Sequence, residues 1–230
     1  MRIRRKKHLG DRLVAVKEYL IVPDRDIENV KEAIKNKKYF DYKAIFNNDN
    51  PVELEVGCGK GRFIVEKAKA NPNVNFIAVE LLENIIVMAA ELAKQEGLKN
   101  VVFVNSGAEY LQRYIPESSI ANVYLNFSPP FPKDGYENRR LTSQRYIDAY
   151  KIFLVNGGSV YQKTDDKGFF EYSFDMFSKN DFIVADVTKE LNGGMTDNII
   201  TEYENKFRSA NMEIYGLVAK INKKTKWEKL

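Results

Sequence analysis

The sequence predicts an α/β domain: a mostly parallel sheet with helices on both faces and an antiparallel terminal strand. Three observations predict it. From residue 51 onward short β-branched apolar runs alternate with longer amphipathic stretches. Three glycines spaced two apart stand where a buried strand turns into a helix. The chain has 230 residues, 44% of them apolar, which is enough for one substantial core.

Taken in order, Val52–Val56 reads as a strand that ends in glycines, Arg62–Ala70 as a helix and Asn75–Glu80 as a strand. Residues 83–96 form a helix with Ile86, Ala89, Ala90 and Ala93 along one side, closed by Gly97. Residues 101–104 and 122–127 are the next strands, and 128–140 is too rich in proline to be either element. A helix over 143–154 follows, and Asn156-Gly157-Gly158 is expected to turn the chain into a strand over 159–163. Beyond Asp165 the pattern predicts a helix over 168–177, a strand over 182–187, a loop at Gly193-Gly194, a helix over 200–209 and a terminal strand over 213–221. Residues 1–50, interrupted by Pro23 and Asp24, read as a basic extension, and 51–230 as the domain proper.

Charge is unevenly spread. A total of 36 Lys and Arg against 32 Asp and Glu leaves a net +4. Yet the first twelve residues carry Arg2, Arg4, Arg5, Lys6, Lys7 and Arg12 against Asp11, and the last ten carry Lys223, Lys224, Lys226 and Lys229 against Glu228. Basic termini on a nearly neutral body suit a polyanion, because Lys and Arg contacts to phosphates release counterions. The single Cys58 excludes an internal disulfide, and the Arg-rich start leads into no apolar signal region. No run approaches the roughly 20 apolar residues of a membrane helix. A cytoplasmic protein is expected, with no membrane span and no metal. The lone His8 sits in the basic arm and is expected at the surface without a catalytic role.

Leu54-Glu55-Val56-Gly57-Cys58-Gly59-Lys60-Gly61 differs from the G-x-G-x-x-G of dinucleotide binders, whose helix N-terminus cradles a pyrophosphate. The preceding Glu55 argues against phosphate and suits a cation, and S-adenosylmethionine carries both an ammonium and a sulfonium. An acid at the end of the next strand, able to accept from both ribose hydroxyls, is present as Glu80, which also disfavours a 2′-phosphate. After the fourth strand, Asn126-Phe127-Ser128-Pro129-Pro130-Phe131-Pro132-Lys133 lies at the edge where open α/β sheets bind ligands. Its three prolines stiffen a loop that can present an aromatic ring and carbonyl acceptors to a base.

With LEVGCGKGRFI, NFIAVE, VYLNFS-PFPK, RRLT, KTD and TEYENKF in order over about residues 51–210, the chain resembles the tRNA (guanine-N7)-methyltransferases. The resemblance implies a Rossmann-like S-adenosylmethionine-dependent fold over 51–230, with tRNA as partner and a monomer or homodimer as assembly. It implies that Glu55 and Glu80 hold the cofactor, with Gly57, Gly59, Gly61, Gly107, Ala108, Asn126 and Pro129 in the same set. Ser128 and Phe131 would align the substrate, Lys133 and Asp165 would contact it, and Thr201 and Glu204 would complete its pocket. Read from the residues alone, Thr201-Glu202-Tyr203-Glu204 is a helix N-terminus and Lys163-Thr164-Asp165 a strand end. The chain departs from the family twice: Pro129 stands where S-D-P-W-P-K has its acid, and Gly107-Ala108 where the family usually reads D-A. Asn105, Glu109 and Ser128 are the candidates to replace those carboxylates.

Two other functions are open from the sequence. Ser128-Pro129-Pro130-Phe131 also matches the [DNS]-P-P-[YFW] loop of methyltransferases acting on exocyclic amines, where a polar side chain and a proline carbonyl accept from the amine. A cofactor- and RNA-binding protein without turnover is the third. Guanine N7 bears a lone pair and no proton, so its methylation needs alignment and no general base.

Overall fold

The computed structural model describes residues 8–24, 26–27, 29–192 and 198–222. The basic clusters at 2–7 and 223–229 and the Gly193-Gly194 loop lie outside the described residues. The chain divides into two compact units, Met1–Ile115 and Pro116–Leu230.

The first unit runs through α1 (Leu9–Ala15), β1 (Leu20–Ile21), α2 (Val30–Lys35), α3 (Tyr42–Phe46), β2 (Val52–Val56), α4 (Arg62–Ala70), β3 (Asn75–Glu80), α5 (Glu83–Gln95), β4 (Val101–Asn105) and α6 (Leu111–Tyr114). Its strands are all parallel, in the order β1-β4-β3-β2. Every residue of β2 and β4 is buried, as expected of parallel strands covered on both faces. The register sets Val56 beside Val79 and Glu80 beside Asn105, which brings the carboxyl ends of the three long strands together. Gly97 closes α5 as expected: at φ +65° it lets its own N–H donate to Lys94 O and that of Leu98 to Ala93 O, a Schellman motif.

Residues 8–50 hold structure that composition did not announce. Asn29 and Asp41 cap α2 and α3 through their side chains. Leu20 and Ile21 pair with Phe103 and Val104, and α1 is fastened to α5 by the guanidinium of Arg12, whose Nε lies 2.7 Å from Glu91 Oε1.

The second unit holds β5 (Ile120–Asn126), α7 (Gln144–Phe153), β6 (Leu154–Thr164), α8 (Lys167–Ser178), β7 (Phe182–Asp186), α9 (Thr188–Asn192), α10 (Glu202–Ser209) and β8 (Tyr215–Ile221). Strand order is β5-β6-β8-β7, with β5 and β6 parallel and the terminal β8 antiparallel to both its neighbours. The expected turn at Asn156-Gly157-Gly158 is corrected: β6 begins at Leu154 and carries these residues within it. A register shift between Ile120 and Asn122 absorbs the extra length, and a Cβ on Gly158 would stand 2.7 Å from Ala121 O, so the glycines permit an irregular strand rather than a reversal. The five-residue α9 escaped prediction because it is too short to show a helical period. Among the described residues no helix is long and apolar enough to cross a membrane.

Candidate active site

In the first unit the glycine-rich turn follows β2. Gly57, Gly59 and Gly61 all have positive φ (+85°, +56° and +83°), so the predicted need for glycine is met at each. The N–H groups of Gly57 and Cys58 both donate to Val79 O, folding the turn over the end of β3. A Cβ on Gly57 or Gly59 would meet nothing within 4 Å, leaving open space above that stretch of backbone. Gly61 differs from them, because its Cβ would lie 2.5 Å from Ala89 Cβ, and the glycine thereby lets α4 approach α5.

Glu80 ends β3 half-buried, and its two oxygens accept from separate backbone donors, Gly59 N–H at 3.2 Å and Leu82 N–H at 3.0 Å. The carboxylate is thereby oriented while each oxygen keeps a lone pair for a ligand. Glu55 is buried at the end of β2. The Cys58 thiol is pushed well above its ordinary range, first by burial and then by the charges of Glu55 and Glu80, so both acids act on the same few atoms of the turn. Gly107 and Ala108 follow β4, Gly107 buried and Ala108 half-buried. Open space over glycine backbone beside the oriented Glu80 and the buried Glu55 fits a ligand with cationic and hydroxyl groups, as S-adenosylmethionine has.

In the second unit the proline loop leaves β5. Phe127 and Phe131 hold φ of +51° and +43°, a costly state for bulky side chains that the surroundings must enforce. Phe127 is held by its N–H to Lys163 O and by its ring, which lies 6.2 Å from Tyr203 and 5.7 Å from Phe207. Phe131 is held by Arg140, whose guanidinium donates to Pro130 O at 3.0 Å and to Phe131 O at 3.1 Å. Arg140 also sits 4.3 Å from the Tyr172 ring centroid, and the Tyr172 hydroxyl, pushed up to about 12 by burial and by its bond to Glu137, stays neutral. Ser128 is 7% exposed and among the described residues its Oγ has no hydrogen-bond partner, so a buried polar atom is open to a ligand. Pro129 is exposed, and Asn126 and Phe131 are half-buried.

Lys133 is exposed at the end of this loop and Asp165 is half-buried beyond β6. Thr201 caps α10 by accepting from Glu204 N–H at 2.9 Å. Glu204 is fully buried, bonded to Lys163 at 3.0 Å, to Asn198 at 2.7 Å and to Arg208 at 2.8 Å. Burial alone would raise its pKa, but those three partners together hold it below the usual carboxylate range. Lys163 also reaches Asn198 Oδ1 and Ile199 O, tying the segment before α10 to β6. Among the residues that sequence reasoning missed, Arg140 and Lys163 lay inside the RRLT and KTD motifs and Arg208 stood four residues after Glu204 on one helix, whereas Asn198 carried no local signal. His8 is exposed, as expected. Among the described residues no cluster of three or more His, Cys, Asp or Glu could hold a metal.

Solved structures with this fold include the 16S rRNA methyltransferase KamB, at TM-score 0.57 and 15% identity over 81% of this chain and 95% of that one. Another is the precorrin-6y C5,15-methyltransferase of Geobacter metallireducens, at TM-score 0.52 and 16% identity over 87% and 94%. Fold and turn together define a Rossmann-like methyltransferase of the S-adenosylmethionine-dependent class. The family described as "Putative methyltransferase" matches residues 49–217. The tRNA (guanine-N(7)-)-methyltransferase of Geobacillus kaustophilus is 37% identical over 216 residues, 94% of each chain, and that of Bacillus subtilis 41% over 193 residues, 82% of this chain and 90% of its own. The chain belongs to the tRNA (guanine-N7)-methyltransferase family.

Proposed function

We propose that this protein transfers a methyl group from S-adenosylmethionine to N7 of the variable-loop guanine of tRNA. Membership of the family over nearly the full length of both chains carries the reading. Residues 51–230 form the methyltransferase domain in this proposal, and 1–50 an extension whose basic arm meets tRNA phosphates. The protein works in the cytoplasm as a monomer or homodimer.

Glu55, Gly57, Gly59, Glu80, Gly107, Ala108, Asn126 and Pro129 hold the cofactor, with Gly61 setting the approach of α4. When bound, S-adenosylmethionine supplies a methyl on a positively charged sulfur. Ser128 and Phe131 align the guanine, and the Arg140 bonds to the loop carbonyls keep that alignment fixed. Lys133 and Asp165 contact substrate, while Thr201 and Glu204 shape the start of α10. No side chain is asked to take a proton, because N7 carries none. The exocyclic-amine alternative is disfavoured because the RRLT, KTD and TEYE segments that accompany the loop favour guanine N7.

Incubation with labelled S-adenosylmethionine and unmodified tRNA, followed by nucleoside analysis, is expected to yield 7-methylguanosine. A methylated adenosine or cytidine would instead support the exocyclic-amine reading, and cofactor binding without methylation a binding protein.

A further inference from the structure

Phe127, Tyr203 and Phe207 bring three rings together at the surface of the second unit. Phe127 is the first residue after β5, and the other two stand four apart on α10. The ring centroids of Phe127 and Tyr203 lie 6.2 Å apart, those of Tyr203 and Phe207 6.3 Å and those of Phe127 and Phe207 5.7 Å, with the planes inclined by only 25°, 26° and 31°. Packing for stability alone would bury such a cluster. Here Tyr203 is 58% exposed and both phenylalanines are half-buried.

The chain also accepts strain to place the first ring. Phe127 holds φ +51°, which is costly for a bulky side chain and which glycine or asparagine would adopt more cheaply. What Phe127 adds to that backbone is its ring. Lys206 adds a cation, with its exposed Nζ 5.7 Å from the Phe207 ring centroid. Nearly parallel aromatic faces beside a cation suit a flat ring carried on a phosphate backbone, that is, an unpaired nucleobase. A stable protein partner would need a patch of about 800 Å² on each side, far more than three partly covered rings offer.

The cluster is continuous with the substrate loop. Ser128 follows Phe127 in the chain, and Thr201 and Glu204 flank Tyr203. Lys163 fixes the arrangement, since its carbonyl accepts from Phe127 N–H at 2.8 Å and its ammonium holds Glu204 at 3.0 Å. A role for the rings rests on the tRNA reading above, in which Ser128 and Phe131 align the target guanine. A guanine presented to that loop leaves the stack of its neighbours, and a neighbouring base then lacks a face to lie on.

We propose that Tyr203, backed by Phe127 and Phe207, stacks on the base of a nucleotide adjoining the target guanine and so positions that guanine at the proline loop.

The test measures binding of intact unmodified tRNA, and of two tRNAs made abasic at one or the other neighbour of the target guanine, over a salt series. Thermal unfolding checks that each variant folds. Wild type is expected to bind one of the abasic tRNAs about tenfold more weakly than the intact one. Tyr203→Leu keeps apolar bulk against Phe127 but has no ring face. It should bind intact tRNA about tenfold more weakly than wild type, lose nothing further with the abasic tRNA, and keep the wild-type salt slope, because the lost contact carries no charge. Tyr203→Phe, which keeps the ring face, should retain the discrimination. If Tyr203→Leu does not fold, Tyr203→Met is read in its place. Wild-type affinity indifferent to both abasic positions overturns the proposal, as do losses from the variant and from the abasic position that simply add. In either case the tRNA reading stands. Failure of wild type to bind and methylate intact tRNA overturns both.

Discussion

Lys163 Nζ lies 3.0 Å from Glu204 Oε2, joining the end of β6 to the first turn of α10 through a pair that water scarcely reaches: the Glu204 side chain is 0% exposed and that of Lys163 13%. Removing one partner of a buried pair leaves the other charge desolvated, which costs more than the pair contributed. Glu204→Gln keeps the shape but strands Lys163 and Arg208, and an unfolding free energy lower by about 3 kcal/mol is expected from urea denaturation. The sign with pH follows from the depressed pKa of Glu204. Its stabilisation is complete above the ordinary carboxylate range and fades as pH falls through the lower folded value, so wild-type and Glu204→Gln melting temperatures should converge below about pH 4.

Glu80→Ala removes the acceptor of Gly59 N–H and Leu82 N–H and, in the proposed site, that of the cofactor's ribose. Cofactor affinity should fall by roughly 1.5–3 kcal/mol. Because both oxygens already take a backbone N–H, an amide in Glu80→Gln turns its NH2 toward one of those donors. Calorimetry should therefore find it nearly as weak as the alanine variant, and near-wild-type affinity would remove Glu80 from the ribose role.

At Gly61 the contact with Ala89 and the φ of +83° act in the same direction. Gly61→Ala is expected to lose about 3 kcal/mol, part from overpacking and part from left-handed backbone. Adding Ala89→Gly should return only part of the packing share in chemical denaturation, since Ala89 Cα would still stand 2.9 Å away and the dihedral strain persists.

Arg140→Lys cannot reproduce a guanidinium fork that serves two successive carbonyls while lying on Tyr172. Methylation of tRNA should drop about tenfold or more, with S-adenosylhomocysteine affinity within about twofold of wild type. An equal loss of both would assign Arg140 to general stability.

Deleting residues 1–7 removes five positive charges and no part of the glycine turn. Binding of tRNA should weaken and its dependence on salt should flatten, while cofactor affinity holds. Filter binding over a salt series measures both.

The long strands and the helices between them were legible because each carries its period over enough residues: Arg62–Ala70 and Asn75–Glu80 have the predicted bounds. The glycine turn and Glu80 were legible because positive φ and a strand-end acid leave a local mark. Asn198 was not, since it gains its role only when the segment before α10 folds back onto the Glu204 carboxylate.

Leu20 and Ile21 occupy one side of β4, opposite the side taken by β3. An uncovered strand edge offers its free N–H and C=O groups to any extended chain, including a second copy of itself. Two residues are short enough to end the sheet without extending the template, and the bond between Arg12 and Glu91 keeps them from peeling away. Leu20 and Ile21 thus have a duty of their own, that of closing the edge of β4. A chain begun at residue 51 would retain every motif of its family and still be prone to aggregate along β4.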